Sequence, residues 1–190
     1  ADAQAEGKTL LTMSDYDLAR NVADSVLFHP AGQRMAGPDV INEASFFATD
    51  PDTGLEIKCR PDSYWQEQGV VYDIKTCQDA SPRGVAKQMV DYGYAIQAAF
   101  YLHVMQQAGM KADRFVFVNV EKTAPFAVSV NELSEEFLEW GKQQMHNTLS
   151  KIKEASDDGY YPTGWSDSVN VIELPRWLHE SADFTENKGA

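Results

Sequence analysis

The chain has 190 residues, 43% hydrophobic and 24% charged, which is enough for one domain with a real core and argues against wholesale disorder. Its formal net charge of −13 argues against broad, sequence-independent nucleic-acid binding, so any nucleic-acid contact must gather Arg and Lys in one groove. No apolar run reaches membrane-spanning length, no basic-then-apolar leader opens the sequence, and Cys59 and Cys77 form neither a disulfide framework nor a zinc signature, which points to a reduced, cytoplasmic setting.

In chain order, MSDYDLARNVADSVLFHP spaces Leu18, Val22 and Val26 as one helical face, with Ser14 as N-cap and Pro30 as the stop. INEASFFATD reads as a strand, and PDTG (residues 51–54) as a tight turn. Residues 55–60 and 70–76 alternate as the two strands of a hairpin joined through PDSYWQEQG. The pattern from Gly84 to Gln107 predicts one long helix closed by Gly109. RFVFVNVE, residues 114–121, is the clearest β run. Asn131 or Ser134 then caps a helix extending to about Ser156, and the tail YYPTGWSDSVNVIELPRWL is turn-rich with one short strand. The predicted order is α-β-β-β-α-β-α, without repeats, low-complexity segments or an obvious linker.

The charged residues of the hairpin need their own explanation, because a half-buried hairpin requires neither carboxylates nor a lysine for stability. Side chains two apart on a strand share a face, so Asp73 and Lys75 point the same way while Ile74 points into the core. Asp62, two residues past Arg60, can end beside Asp73 across the hairpin. Clustered carboxylates repel each other unless a cation sits between them. Hard oxygen ligands with open positions suit magnesium or manganese, which keep several waters. A neighbouring lysine can orient or deprotonate a water and neutralise a developing phosphate charge. Together these are the parts of metal-assisted phosphodiester hydrolysis. The spacing by itself is equally that of a solvated Asp–Lys pair on a strand surface.

Arg60-Pro61-Asp62, ten residues, then Asp73-Ile74-Lys75 has the shape of the PD-(D/E)XK nucleases, in the D…D-x-K form of RecB-type enzymes. Gln97 and Tyr101, at i and i+4 on the long helix, resemble the Q-x-x-x-Y motif of the same group. With INEASFFATDPDTGLEIKCRPD, VVYDIKTCQDASP, YGYAIQAAFY and the YYPTGW…IELPRW tail, the chain from about Gly7 resembles the C-terminal nuclease domain of the RecE exonucleases and their phage relatives.

That resemblance implies a restriction-endonuclease-like α/β fold, with a mixed central sheet flanked by helices. It implies Asp62, Asp73 and the Ile74 carbonyl as metal ligands and Lys75 as the catalytic lysine. Glu43, on the preceding strand, either faces the same cleft as a further candidate metal ligand or is an ordinary surface glutamate. Gln97 and Tyr101 hold the active-site loop or a DNA phosphate, the alternative being a purely structural helix face. Lys58, Arg60, Arg83 and Lys87 are candidate phosphate contacts, although each alone is an ordinary solvated charge.

The implied activity is a Mg2+-dependent (or Mn2+-dependent) exonuclease on double-stranded DNA ends, running 5′ to 3′ and leaving 3′ overhangs for homologous recombination. The implied assembly is a homo-oligomeric ring, with a single-strand annealing protein as partner, in a bacterial or phage-encoded cytoplasmic setting. One feature departs from the family pattern: a metal-completing histidine in a G-T-x-x-H-like context is not found. His29 occupies a helix end before Pro30, His103 and His146 fall on helices, and His179 lies in the tail. The expectation is therefore a single nuclease domain over residues 1–190 that lacks its first part. Two rivals stand beside it: a single-strand or structure-specific nuclease, and a catalytically silent DNA-binding or recombinase-docking module of the same fold.

Overall fold

A computed structural model of the protein describes residues 10–161, 164 and 168–174. Thr12 rather than Ser14 opens the first helix, its Oγ accepting the Asp15 N–H at 3.1 Å, and α1 runs Met13–Phe28. His29 ends α1 and caps α2 (Pro30–Met35), its Nδ1 accepting the Ala31 N–H at 3.2 Å. Pro30 thus starts a helix, because a missing N–H costs nothing at the first helical position.

The single strand expected at INEASFFATD is two strands in two sheets, β1 (Ile41–Asn42) and β2 (Phe46–Thr49), and Glu43 between them turns in a left-handed conformation at φ 54°. β3 (Glu56–Cys59) pairs antiparallel with β2 across a turn in which Asp50 accepts bonds from the Thr53 N–H and hydroxyl. The predicted hairpin between residues 55–60 and 70–76 does not form. β5 (Val70–Cys77) pairs instead with β4 (Ser63–Trp65), which lies inside the stretch read as a connecting loop. Pro61, lacking an N–H, separates β3 from β4.

The long helix is also two, α3 (Pro82–Asp91) and α4 (Tyr94–Gln107), broken at Gly93 with φ 66°. Glycine takes that left-handed turn without steric cost. β6 (Arg114–Glu121) agrees with its predicted limits. β7 (Val128–Glu132) was not foreseen, and it claims Asn131, whose Nδ2 donates to the Asn119 Oδ1 at 2.9 Å. Ser134 is left as the cap of α5 (Glu135–Asp158), its Oγ accepting the Phe137 N–H at 3.2 Å. No strand occurs at residues 168–174, and the remainder of the tail motifs, with His179, lies outside the described residues.

Two compact units divide the chain, residues 1–154 and 155–190. In the first, the five-stranded sheet has the order β1-β4-β5-β6-β7, antiparallel except for the β5–β6 pair, which is joined by the α3–α4 crossover. On one face Val71, Phe115 and Phe117 pack with Leu102 and Met105 of α4 and Met145 of α5. On the other, Val70, Tyr72, Val116 and Val118 pack with Val26 of α1 and Met35 of α2. This is the expected α/β architecture, a mixed central sheet flanked by helices. In the second unit the Tyr160 N–H closes the end of α5 on the Ala155 carbonyl at 3.1 Å. Among the described residues, no helix is long and apolar enough to cross a membrane.

Candidate active site

β5 feeds both faces of the sheet, and its alternation sends Val71, Asp73 and Lys75 toward α4, with Val70, Tyr72, Ile74 and Thr76 toward α1. Pairing between β4 and β5 stops at Ser63–Tyr72, so the β5 edge beyond Tyr72 has no strand beside it. Ile74, expected in the core, is therefore 37% exposed at this gap, whereas Asp73 is only 5% exposed. Ile74, Asp62, Glu43 and Thr76 help line a cleft of about 820 Å³ between α1, α2 and the sheet edge.

Asp62 fills the gap that β4 leaves. Its Oδ2 accepts the Ile74 N–H at 2.6 Å. The N–H and C=O of one strand residue leave on the same side, so the Ile74 carbonyl faces the gap as well. Asp73 is ion-paired with Lys75, and both its oxygens accept from the Gln97 Nε2, at 3.3 and 3.4 Å. Burial pushes the Asp73 carboxyl above the usual carboxylate range; Lys75 and Gln97 pull it back only in part, and the nearby Asp62 charge pushes it further up.

Gln97 and Tyr101 both reach this site from α4. Tyr101, one turn beyond Gln97, sets its ring edge-on to Phe115 at 6.0 Å. Sequence reasoning missed Tyr94. Its ring lies 4.7 Å below the Lys75 ammonium and stacks on Phe117 at 5.8 Å. The signal was present, since Tyr94, Gln97 and Tyr101 are at i, i+3 and i+7 on one helix face.

Glu43 does come to the cleft: its N–H donates to the Asp62 carbonyl at 3.1 Å. Its carboxylate accepts the Arg60 Nε–H at 2.7 Å, so Arg60 is engaged in holding Glu43. Lys58 is exposed on β3 in the two-stranded sheet, and Arg83 is exposed on α3. Neither bonds to the Asp62–Asp73–Lys75 group. Lys87, also on α3, is ion-paired with Asp91.

No described histidine joins the two aspartates. His29 is spent as a cap. The His103 Nε2 bonds the buried Asp50 at 2.7 Å, and His146 stands 5.8 Å from the His103 ring and 3.8 Å from Asp52, fastening the β2–β3 turn to helices α4 and α5. Among the described residues, no group of three or more His, Cys, Asp or Glu side chains converges as a metal cage. The set at the gap is two carboxylates and one backbone carbonyl. That set fits a hard divalent cation which keeps most of its waters, as magnesium does, better than a cation needing a full protein cage. The cysteines are not part of it; burial pushes the Cys59 thiol up to about 12.

Residues 3–174 match the family described as a PDDEXK-like domain of unknown function (DUF3799). The chain belongs to this family. The PDDEXK-like domain is also similar to a solved structure of a candidate exonuclease from Eubacterium rectale, at a TM-score of 0.59 and 16% identity over 90% of this chain. It spans 66% of that protein's length. The solved structure of SSO0001 aligns at a TM-score of 0.41 and 14% identity, over 74% of this chain and 63% of that one. No curated protein matches the sequence.

Proposed function

We propose that this PDDEXK-like domain is a divalent-metal-dependent DNA nuclease whose reacting phosphate sits at the gap between β4 and β5. The convergence of Asp62, Asp73, Lys75 and the Ile74 backbone at one open sheet edge carries the reading. Asp62, Asp73 and the Ile74 carbonyl would hold magnesium, with manganese as the substitute. When bound, such an ion polarises a phosphoryl oxygen and lowers the pKa of a water.

The chain's own groups do the rest. Gln97 fixes the orientation of the Asp73 carboxylate through its two hydrogen bonds. Tyr94 offers the Lys75 ammonium a ring face, so the lysine stays at the site when Asp73 turns to a cation. Lys75 then places its positive charge against the phosphate and holds the attacking water by hydrogen bonding. Glu43, steadied by Arg60, is a third carboxylate within the cleft and would orient water there by hydrogen bonding.

The finer reading is an exonuclease running 5′ to 3′ on linear duplex DNA and supplying 3′ overhangs for recombination. It rests on the resemblance to the RecE nuclease domain, and the likeness to the E. rectale protein supports the exonuclease part. A homo-oligomeric ring, a single-strand annealing partner and a bacterial or phage-encoded cytoplasmic origin rest on that resemblance alone. A closed ring would confine DNA to one channel and so offset the net charge of −13. Lys58, Arg83 and Lys87 are the proposed backbone contacts along that path.

The test is digestion of end-labelled linear duplex and closed circular duplex in magnesium and in chelator. Loss of linear DNA from its 5′ ends, with the circle intact and chelator blocking the reaction, is the expected result. Equal cutting of the circle would replace the exonuclease with an endonuclease. No cutting of either, by a protein that still binds DNA, would favour the silent docking module.

A further inference from the structure

Beyond the metal edge lies an aromatic strip that phosphodiester hydrolysis at Lys75 does not itself require. Tyr92, between α3 and α4, is 68% exposed. Its ring centroid is 5.6 Å from that of Tyr94, with the planes tilted by 33°. Tyr94 in turn underlies the Lys75 ammonium at 4.7 Å. The order outward from the reacting centre is therefore lysine, tyrosine, tyrosine.

A second cation follows. Lys87 of α3 is ion-paired with Asp91, the residue that precedes Tyr92. Gly93, left-handed at φ 66°, is the turn that lets residues 92 and 94 present neighbouring rings. An open ring flanked by ammonium groups suits single-stranded nucleic acid, which offers base faces between its phosphates.

We infer that Tyr92 is a base-stacking subsite for the strand being cut, holding an unpaired nucleobase next to the phosphate at Lys75, with Lys87 on the following phosphate. Tyr94, clamped between Phe117 and the lysine, is the fixed floor of the subsite, and Tyr92 is its open shelf. Asp91 neutralises Lys87 in the free protein, so the phosphate must displace that pair. The subsite accepts any base, because every base has a π face; it reads single-strandedness rather than sequence. A strand therefore has to be unpaired for at least one nucleotide before its phosphate reaches Lys75.

This inference rests on the nuclease reading, and the experiment separates the two. Fluorescence anisotropy of a labelled single-stranded oligonucleotide, in chelator so that nothing is cut, is measured for the parent protein, Tyr92→Ala and Tyr92→Trp. The same three proteins are measured with oligonucleotides carrying one abasic position, moved along the strand. Tyr92→Ala should weaken binding about 5- to 150-fold, the range for losing one base–aromatic stack, while Tyr92→Trp binds like the parent. At one abasic position the parent should lose the same factor, and Tyr92→Ala should lose nothing further. In magnesium, Tyr92→Ala should raise KM with kcat nearly unchanged.

If Tyr92→Ala binds within twofold of the parent, or if the abasic and Ala losses simply multiply at every position, the subsite is refuted while the nuclease reading survives. If the parent neither binds nor cuts DNA, both fall. Circular dichroism of Tyr92→Ala guards against a folding artefact. Should the Ala variant misfold, Tyr92→Trp, which keeps a ring, still decides the question: binding lost with Trp in place would count against stacking.

Discussion

At Asp73 two demands conflict, burial under α4 and the need for a negative charge that can take a cation. Its carboxyl is held above the usual range first by burial, then by Asp62, against the pull of Lys75 and Gln97. A carboxyl whose folded pKa exceeds its unfolded value binds its proton more tightly when folded. Its contribution to stability is then greatest in acid and is lost as pH rises from the ordinary carboxylate value through the folded one. Without metal near neutral pH, Asp73→Asn should therefore melt at or slightly above the parent, by no more than about 4 °C, since Asn keeps the shape and sheds the charge. Toward acid the difference should close as the parent takes up its proton. Thermal melts in chelator across that range check this, and an Asn variant melting far below the parent at neutral pH would make Asp73 a structural residue instead. Magnesium should raise the melting temperature of the parent and leave that of Asp73→Asn almost unmoved.

The helices hold the site at tolerances set by a close approach between α4 and α5. A Cβ on Gly141 of α5 would stand 2.3 Å from the Ala95 carbonyl oxygen and 2.7 Å from its carbon, two residues before Gln97. Backbone cannot yield as a side-chain tip does, so Gly141→Ala must push α4 aside. Overpacking of this kind costs about 1–3 kcal/mol, read as a lower urea midpoint at unchanged m-value. It should also lower nuclease turnover, because Gln97 moves with the helix; a variant as stable as the parent would show that the two helices have slack. The elements also mark what was legible in the sequence. β6 stood out as a long apolar run buried on both faces, and β5 as an apolar start that passes into the alternating Asp73, Ile74 and Lys75. β4 is three residues long and β1 two, too short for alternation to register, so the hairpin was assigned to β3 and β5 although β3 lies in another sheet. α3 and α4 ran together because the apolar pattern continues across Gly93 while the backbone turns.

Across the whole molecule, the catalytic candidates were easier to read than the topology around them. Asp73 and Lys75 depend only on alternation along one strand, and their shared face held. Asp62 reached the same place by a route the sequence did not disclose, from the link before β4 rather than across a hairpin partner. Ile74 went the opposite way from expectation, because the missing neighbour strand leaves an opening where a core was expected. Tyr92 and Tyr94 were overlooked since aromatic residues at a helix junction are ordinarily core, and only ring geometry separates the two uses. In a chain of net charge −13, Lys75 is the cation set directly against Asp73, and the proposed chemistry leans on it. The most direct measurement is the magnesium-dependent rate of linear duplex hydrolysis by the parent and by Lys75→Ala, with DNA binding by each measured in chelator. Loss of the lysine should lower turnover at least about 10²-fold, far more than it weakens DNA binding, in a protein that still folds. A Lys75→Ala protein that cleaves at close to the parental rate would contradict the account.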